Sequence, residues 1–319
     1  MNSKNTVFCL MGPTASGKTE LAIRLAEYYP IEIISVDSAL VYKHMDIGTG
    51  KPSTELLKQV PHHLINICDP KEPYNAGQFR ADALRTIKSI IEREHVPLLV
   101  GGTMMYFKVL LEGLADLPPN NPEIRRQLDE QAKVIGWPAL HARLFQIDPR
   151  AAQRIKPSDA QRIQRALEVY LVSNQTLSEW IENNNQQSNA ATKGFPYRAK
   201  ALGFIPSMEE RRILHSRIEQ RFLHMLDVGL IAEVRHLFER NDLDINLPSI
   251  RSVGYRQVWE HFLGYYDYDT MVQKAISATR GLAKRQITWL RAWPELIHIN
   301  FFDEKLALNQ CVKLIDEFK

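Results

Sequence analysis

Three short, almost unbroken apolar runs, each followed by a longer stretch with apolar residues at helical intervals, set the pattern of the first third of the chain. Thr6 to Met11, Ile31 to Val36 and Val96 to Val100 read as strands covered on both faces, because a strand with one wet face would alternate. Between them, Leu21, Ala22, Leu25 and Ala26 predict a helix over 19–29, and Phe79, Leu84, Ile87, Ile90 and Ile91 predict another over 76–94. Strands that alternate with helices in this way predict an α/β fold, a P-loop-like parallel sheet flanked by helices. A short strand led by His62 and His63, a helix over 104–112, a strand over 197–205, a strand over 295–300 and a closing helix over 304–318 continue the pattern. Adjacent histidines on a strand point to opposite faces, so His62 and His63 are expected to be structural or surface groups and not a metal pair.

The pattern changes at Leu117-Pro118-Pro119-Asn120-Asn121-Pro122, a run that reads as a linker. Residues 118–194 then read as wholly helical, which predicts a helical insertion domain, with 1–117 and 195–319 forming the core. Within the insertion, Pro157-Ser158-Asp159 should cap a helix reaching about residue 172. The stretch 182–193, rich in asparagine and glutamine, is expected to be a mobile loop. Ser207 and Glu210 have the spacing of a capping box and should open a long helix.

A chain of 319 residues with 45% hydrophobic content can bury a large core. Its three cysteines, Cys9, Cys68 and Cys311, lack the spacing of a zinc site or a disulfide framework, which fits a reducing cytoplasm. No leader pattern opens the chain, and no run approaches the length of a membrane span. A net charge of +3 does not by itself argue for nucleic acid, so the placement of the basic residues matters more than their sum.

Chemistry enters at Gly12-Pro13-Thr14-Ala15-Ser16-Gly17-Lys18-Thr19, which matches G-x-x-x-x-G-K-[ST] between a strand and a helix. Its glycines let successive backbone N–H groups face a phosphate chain, Lys18 adds a charge, and Thr19 offers a hydroxyl to Mg²⁺. The second strand ends at Asp37-Ser38, which should emerge beside that loop as a reacting carboxylate or serve as a turn acid. Gly101-Gly102-Thr103 closes the next strand; Thr103 reads either as a ligand contact or as turn chemistry. Arg162 and Arg165 share one helix face, and Arg217 and Arg221 stand four apart on another, spacings that suit phosphate gripping or ordinary ion pairs. The stretch 279–291, with Lys284, Arg285 and Trp289, reads as an RNA-facing helix or as an amphipathic helix with a buried tryptophan. No strand ends in the Asp-Glu pair with which many ATPases activate water. Two functions remain open on these residues, a small-molecule kinase using ATP and a group transferase acting on RNA, and the basic helices favour the second.

Ordered segments carry a resemblance over essentially the whole chain: GPTASGKT from Gly12, ISVDSALVY from Ile34, MDIGTGKP from Met45, PHHLI from Pro61 and LLVGGTMMYFKVLLEGL from Leu98. They continue with QRIQRALEVY from Gln161, SVGYRQVW from Ser252 and AKRQITWLR from Ala283. The chain resembles the bacterial tRNA dimethylallyltransferases, or tRNA isopentenyltransferases. The resemblance implies transfer of a dimethylallyl group from dimethylallyl diphosphate to the exocyclic amine of the adenine 3′ of certain anticodons, by a cytoplasmic, monomeric, Mg²⁺-dependent enzyme. It implies that the P-loop holds the diphosphate, that Asp37 is the general base, that Thr103 contacts the target nucleotide, and that Arg217, or failing it Arg221, meets the diphosphate. Asp37, Ser38, Ala39 and Leu40, then Arg125, are implied against tRNA. So are Gln161, Arg162, Ile163, Gln164 and Arg165, followed by Ile250, Arg251, Ser252, Val253, Gly254 and Tyr255, and finally 283–290 with Lys284 and Arg285. The sequence departs from the family pattern at Gly50, where alanine is common, at Gly281 and at Asn66.

Overall fold

The computed structural model describes residues 6–114, 117–187, 194–300 and 303–318. The chain forms two compact units, one of residues up to Glu112 together with those from Phe195 onward, the other of Gly113–Gly194.

The first unit is built on a six-stranded sheet in the order β3-β2-β4-β1-β5-β6. Its strands are β1 (Thr6–Met11), β2 (Ile31–Val36), β3 (His62–His63), β4 (Val96–Gly101), β5 (Arg198–Gly203) and β6 (Ile297–His298). Every pairing is parallel. The sheet therefore needs helices on both faces, and the wholly buried β1 and β2 show that it has them. One face packs Phe8, Leu10, Ile31, Ile33 and Leu98 against α1 (Lys18–Leu25) and α14 (Glu304–Phe318). The other packs Val7, Cys9, Ile34 and Leu99 against α3 (Ala76–Glu92) and α4 (Met104–Glu112). A third cluster joins Tyr42 and Met45 to α11 (Leu230–Phe238), α12 (Tyr255–Phe262) and α13 (Tyr268–Arg291). The short α2 (Thr54–Gln59) precedes β3, and the long α10 (Met208–Asp227) opens with the expected Ser207/Glu210 capping box.

Buried β2 carries one charge, Glu32, which is 3% exposed. Arg93 donates two hydrogen bonds to it at 2.9 and 2.7 Å, and His63 and His95 lie 2.6 and 2.8 Å from its oxygens. Burial alone would raise this carboxyl's pKa, but the Arg93, His63 and His95 hydrogen bonds win and hold it at about 2. His62 instead lies 2.7 Å from the Val60 carbonyl, so the paired histidines are structural, as their alternation implied.

The second unit is helical: α5 (Pro122–Ile135), α6 (Trp137–Ile147), α7 (Pro149–Arg154), α8 (Ala160–Ser173) and α9 (Leu177–Gln187). Leu128, Leu140, Leu144, Ile163 and Leu167 form its core. Asp159 caps α8, as its position before the apolar run implied. The polar stretch expected to be a mobile loop is helical as far as Gln187; its remainder, 188–193, lies outside the described residues. Alternation of polar and apolar residues fails there, yet Leu177, Trp180 and Ile181 recur at helical spacing just before it.

Candidate active site

The phosphate-loop residues follow β1 at the centre of the sheet. The Gly12 N–H donates to the Gly101 carbonyl at the end of β4, and the Phe204 N–H beyond β5 donates to the Met11 carbonyl, so both neighbouring strands hold the loop's root. Gly17 caps α1 in the left-handed region at φ 81°, a conformation that strains residues with a Cβ, and Lys18 and Thr19 begin the helix with its unsatisfied N–H groups.

A residue that sequence reasoning assigned only generally, to the RNA-facing stretch 283–290, turns out to brace this loop. Gln286 accepts from the Thr14 N–H at 2.9 Å and donates to the Gly102 carbonyl at 2.9 Å. The signal was present: Gln286 is the polar member of the buried stripe Ala283, Ile287 and Leu290 on α13, and a buried amide needs partners.

Four polar groups meet in one cavity, Lys18, Thr19, Asp37 and Arg221. Lys18 Nζ donates to the Pro13 carbonyl at 3.1 Å. Its pKa falls to about 8, chiefly because burial disfavours the charge; Asp37 opposes the shift and Arg221 adds to it. Burial likewise lowers the Arg221 pKa against the pull of Asp37. Arg221 Nη2 donates to the Thr49 carbonyl at 3.3 Å, from a turn that also brings Gly48 and Gly50 to the cavity wall. Two desolvated cations facing a single carboxylate leave a site that an anion would relieve.

Asp37 is both a turn acid and a cavity group. Its Oδ1 accepts from the Ala39 N–H at 2.8 Å, and from Leu40 at 3.4 Å, which fixes the rotamer; no hydrogen bond among the described residues ends on Oδ2. Thr103 accepts from the Ser38 N–H at 3.1 Å, while its own N–H reaches the Val36 carbonyl at 3.2 Å. It thus joins the carboxyl ends of β2 and β4 next to Asp37. Leu40, Ile218, Phe222, Met225 and Leu282 give the same cavity an apolar lining, and Ser252, Val253 and Gly254 reach it from the segment before α12.

Several sequence-predicted residues lie outside the cavity. Arg217, placed first against the diphosphate, lines a second hollow with Ser16 and Gly17 of the P-loop and with Glu20, Arg24 and Glu304, while Arg221 lines the cavity. Four residues advance a helix by about 6 Å, enough to separate the two arginines although they share a face. Tyr255 and Ile250 are fully buried in the cluster around α11 to α13, and the Tyr255 hydroxyl donates to Glu233. Neither side chain is available to RNA, whereas Arg251, Lys284 and Arg285 are exposed.

In the helical unit Ile163 is core, and Arg125 and Arg165 are committed to Glu168, which is fully buried. Arg125 reaches it at 2.9 and 3.0 Å, and Arg165 at 2.7 Å. Gln164 donates to Asp129 at 2.7 Å. Gln161 is exposed, and the Arg162 side chain is 71% exposed, with only a 3.4 Å approach to Asp159.

Among the described residues no group of three or more His, Cys, Asp or Glu side chains could hold a metal ion. The Thr19 hydroxyl with Asp37 across the cavity is a sparse oxygen set, which suits Mg²⁺ because that ion keeps several waters and takes other ligands from phosphates. No helix among the described residues is long and apolar enough to cross a membrane.

Known proteins match this chain along its length. The IPP transferase family model matches residues 40–293. A tRNA dimethylallyltransferase of Coxiella burnetii is 53% identical over 306 residues, covering 96% of each chain. One of Burkholderia cenocepacia is 55% identical over 295 residues, covering 92% of this chain and 90% of its own. The solved structure of the full-length tRNA isopentenylpyrophosphate transferase of Bacillus halodurans matches with a TM-score of 0.69 at 30% identity, covering 98% of both chains. The family match spans most of the chain, and the chain belongs to the IPP transferase family.

Proposed function

We propose that this protein is a tRNA dimethylallyltransferase, which moves a dimethylallyl group from dimethylallyl diphosphate to the N6 amine of the adenosine 3′ of the anticodon and releases diphosphate. The observation that carries the reading is one cavity in which a P-loop lysine and a desolvated arginine share space with a strand-end carboxylate and an apolar wall. A kinase needs the first half of that arrangement; a five-carbon group needs the wall as well.

On this reading the loop N–H groups, Lys18 and Arg221 bind the diphosphate, and Leu40, Phe222, Met225 and Leu282 receive the hydrocarbon. The C1–O bond to the diphosphate breaks as the N6–C1 bond forms. Negative charge then gathers on the leaving oxygens, where fixed cations stabilise it most. The amine proton becomes acidic only as nitrogen takes up the new bond, and Asp37 receives it on Oδ2, the oxygen its turn leaves open. Thr19, with the phosphates, would hold Mg²⁺, which supplies further charge to the departing diphosphate. Reaching the amine requires the adenine to leave its stack, and the cavity receives it from the side of Ser252, Val253 and Gly254. On the core unit the exposed Arg251, Lys284 and Arg285 are available to the tRNA backbone, as is Arg162 on the helical unit considered by itself, in a monomer working in the cytoplasm.

Incubation with tRNA, Mg²⁺ and dimethylallyl diphosphate, followed by nucleoside mass analysis, should show dimethylallyl adenosine without ATP. Formation of ADP with a small acceptor, while tRNA stays unmodified, would replace this reading with the kinase.

A further inference from the structure

The turn that faces Arg221 is held from behind. Asp46 and Ile47 each donate a backbone N–H to Glu233 Oε2 at 2.8 Å, and Gly48 donates to Oε1 at 3.1 Å. The Tyr255 hydroxyl donates to the same Oε1, so one carboxylate accepts four donors. Three successive N–H groups converging on an anion form a concavity of the kind that binds phosphate, and here the protein fills it with its own carboxylate.

Internal bonds make the turn a unit: Gly50 N–H to the Ile47 carbonyl at 2.9 Å, Lys51 N–H to the Asp46 carbonyl at 3.0 Å, and Thr49 Oγ1 to the Met45 carbonyl at 2.7 Å. Its outer end presents the Thr49 carbonyl to Arg221. Contact there is close, since a Cβ on Gly50 would lie 1.8 Å from Arg221 Nη2. Glu233 on α11 touches neither the cavity nor Arg221, but the turn between them passes its position on.

We propose that Glu233 is a positioning residue for the diphosphate, acting through residues 46–50 on Arg221. The inference rests on the prenyl-transfer reading for its substrate. Glutamine in place of Glu233 has one acceptor oxygen and directs N–H donors at N–H donors, so it cannot hold three backbone groups and a hydroxyl.

The test is a double-mutant cycle with Glu233→Gln and Arg221→Ala. Each single variant should lower kcat/KM for dimethylallyl diphosphate, Glu233→Gln by about 10- to 100-fold, as for supporting residues behind a charged site, with tRNA affinity unchanged. In the Arg221→Ala background, Glu233→Gln should cost less than about threefold, because groups that act through one another are not additive. Equal losses in both backgrounds, or no loss in either, overturn the proposal.

Glu233→Asp is the independent variant should Glu233→Gln fail to fold. It keeps the charge but draws the carboxylate back from the Asp46, Ile47 and Gly48 N–H groups by one methylene, and should raise KM for the diphosphate but not for tRNA; unchanged constants overturn the proposal as well. Calorimetric binding of inorganic diphosphate to the same variants separates the two readings. A wild-type protein that binds diphosphate with the predicted coupling but never alkylates tRNA would refute the function and leave the role of Glu233 standing.

Discussion

Basic residues do opposite work in the two units. In the core, Lys18 and Arg221 lose solvent and among the described residues have only Asp37 as a charged counterpart, so burial lowers their pKa values. In the helical unit, Arg125 and Arg165 surround Glu168, whose pKa is lowered because their hydrogen bonds outweigh its burial. The first arrangement leaves charge in excess for a ligand, and the second closes charge on itself to fasten α5 and the preceding linker to α8. An arginine pair in a sequence therefore predicts a ligand only when its local carboxylates are too few.

The comparison breaks most sharply at Asp37, the carboxylate proposed as the base. Asp37→Asn keeps the Oδ1 turn acceptor and removes the base, so single-turnover rates should fall about 10²- to 10⁴-fold while tRNA affinity holds. An unchanged rate would leave Asp37 as a turn acid alone. Next in size, Lys18→Ala should cost about 10²- to 10³-fold in kcat, the loss expected for one donor to a charged transition state, and weaken diphosphate binding as well. The wild-type pH profile carries the same signature. Because the Lys18 pKa lies near 8, free enzyme loses that proton above pH 8, and the measured diphosphate affinity should decline there.

On the helical side the expected losses concern stability. Glu168→Gln leaves two partly exposed arginines without their carboxylate and should lower the stability of the helical unit by about 1 to 3 kcal/mol in denaturant titrations. Diphosphate binding should not change. The smallest effect is reserved for Arg162→Ala, which should flatten the log–log salt dependence of tRNA binding by roughly 0.7 to 0.9 without altering the melting temperature. An unaltered slope would make Arg162 a solvated surface charge.

Glu32 offers a separate check, on the core alone. Its carboxyl pKa is depressed, so the ionised form stabilises the fold, fully above the unfolded value near 4.5 and progressively less as pH falls toward 2. Glu32→Gln should flatten the melting temperature across that window.

Much of this was legible because it depended on local pattern. Buried strands, the phosphate loop and the Ser207 and Asp159 caps each need only neighbouring residues to be recognised. What the sequence left open is long-range. Arg217 and Arg221 differ by one helical turn against a cavity whose depth no spacing reveals, and Tyr255 reads as an RNA contact until Glu233 is seen to accept its hydroxyl. Gln286 is separated from Thr14 by 272 residues, so its bracing of the loop required the fold. The helices around Leu230 and Tyr255 were likewise unforeseen, being short and set between turns.

The order of strands has a consequence for how the enzyme is made. The phosphate loop leaves the ribosome before either of its neighbouring strands, since β1 pairs on one side with residues 98–101 and on the other with 198–203. The helical unit must be synthesised between those events, and at roughly 5–20 residues per second the nascent β1 has an unpaired edge for many seconds. Gln286 follows later still. Ribosome-bound chains arrested shortly before residue 286 has cleared the exit tunnel should bind a diphosphate resin less well than chains arrested after it. The motif is made long before the residue that braces it, and becomes a site only when that residue arrives.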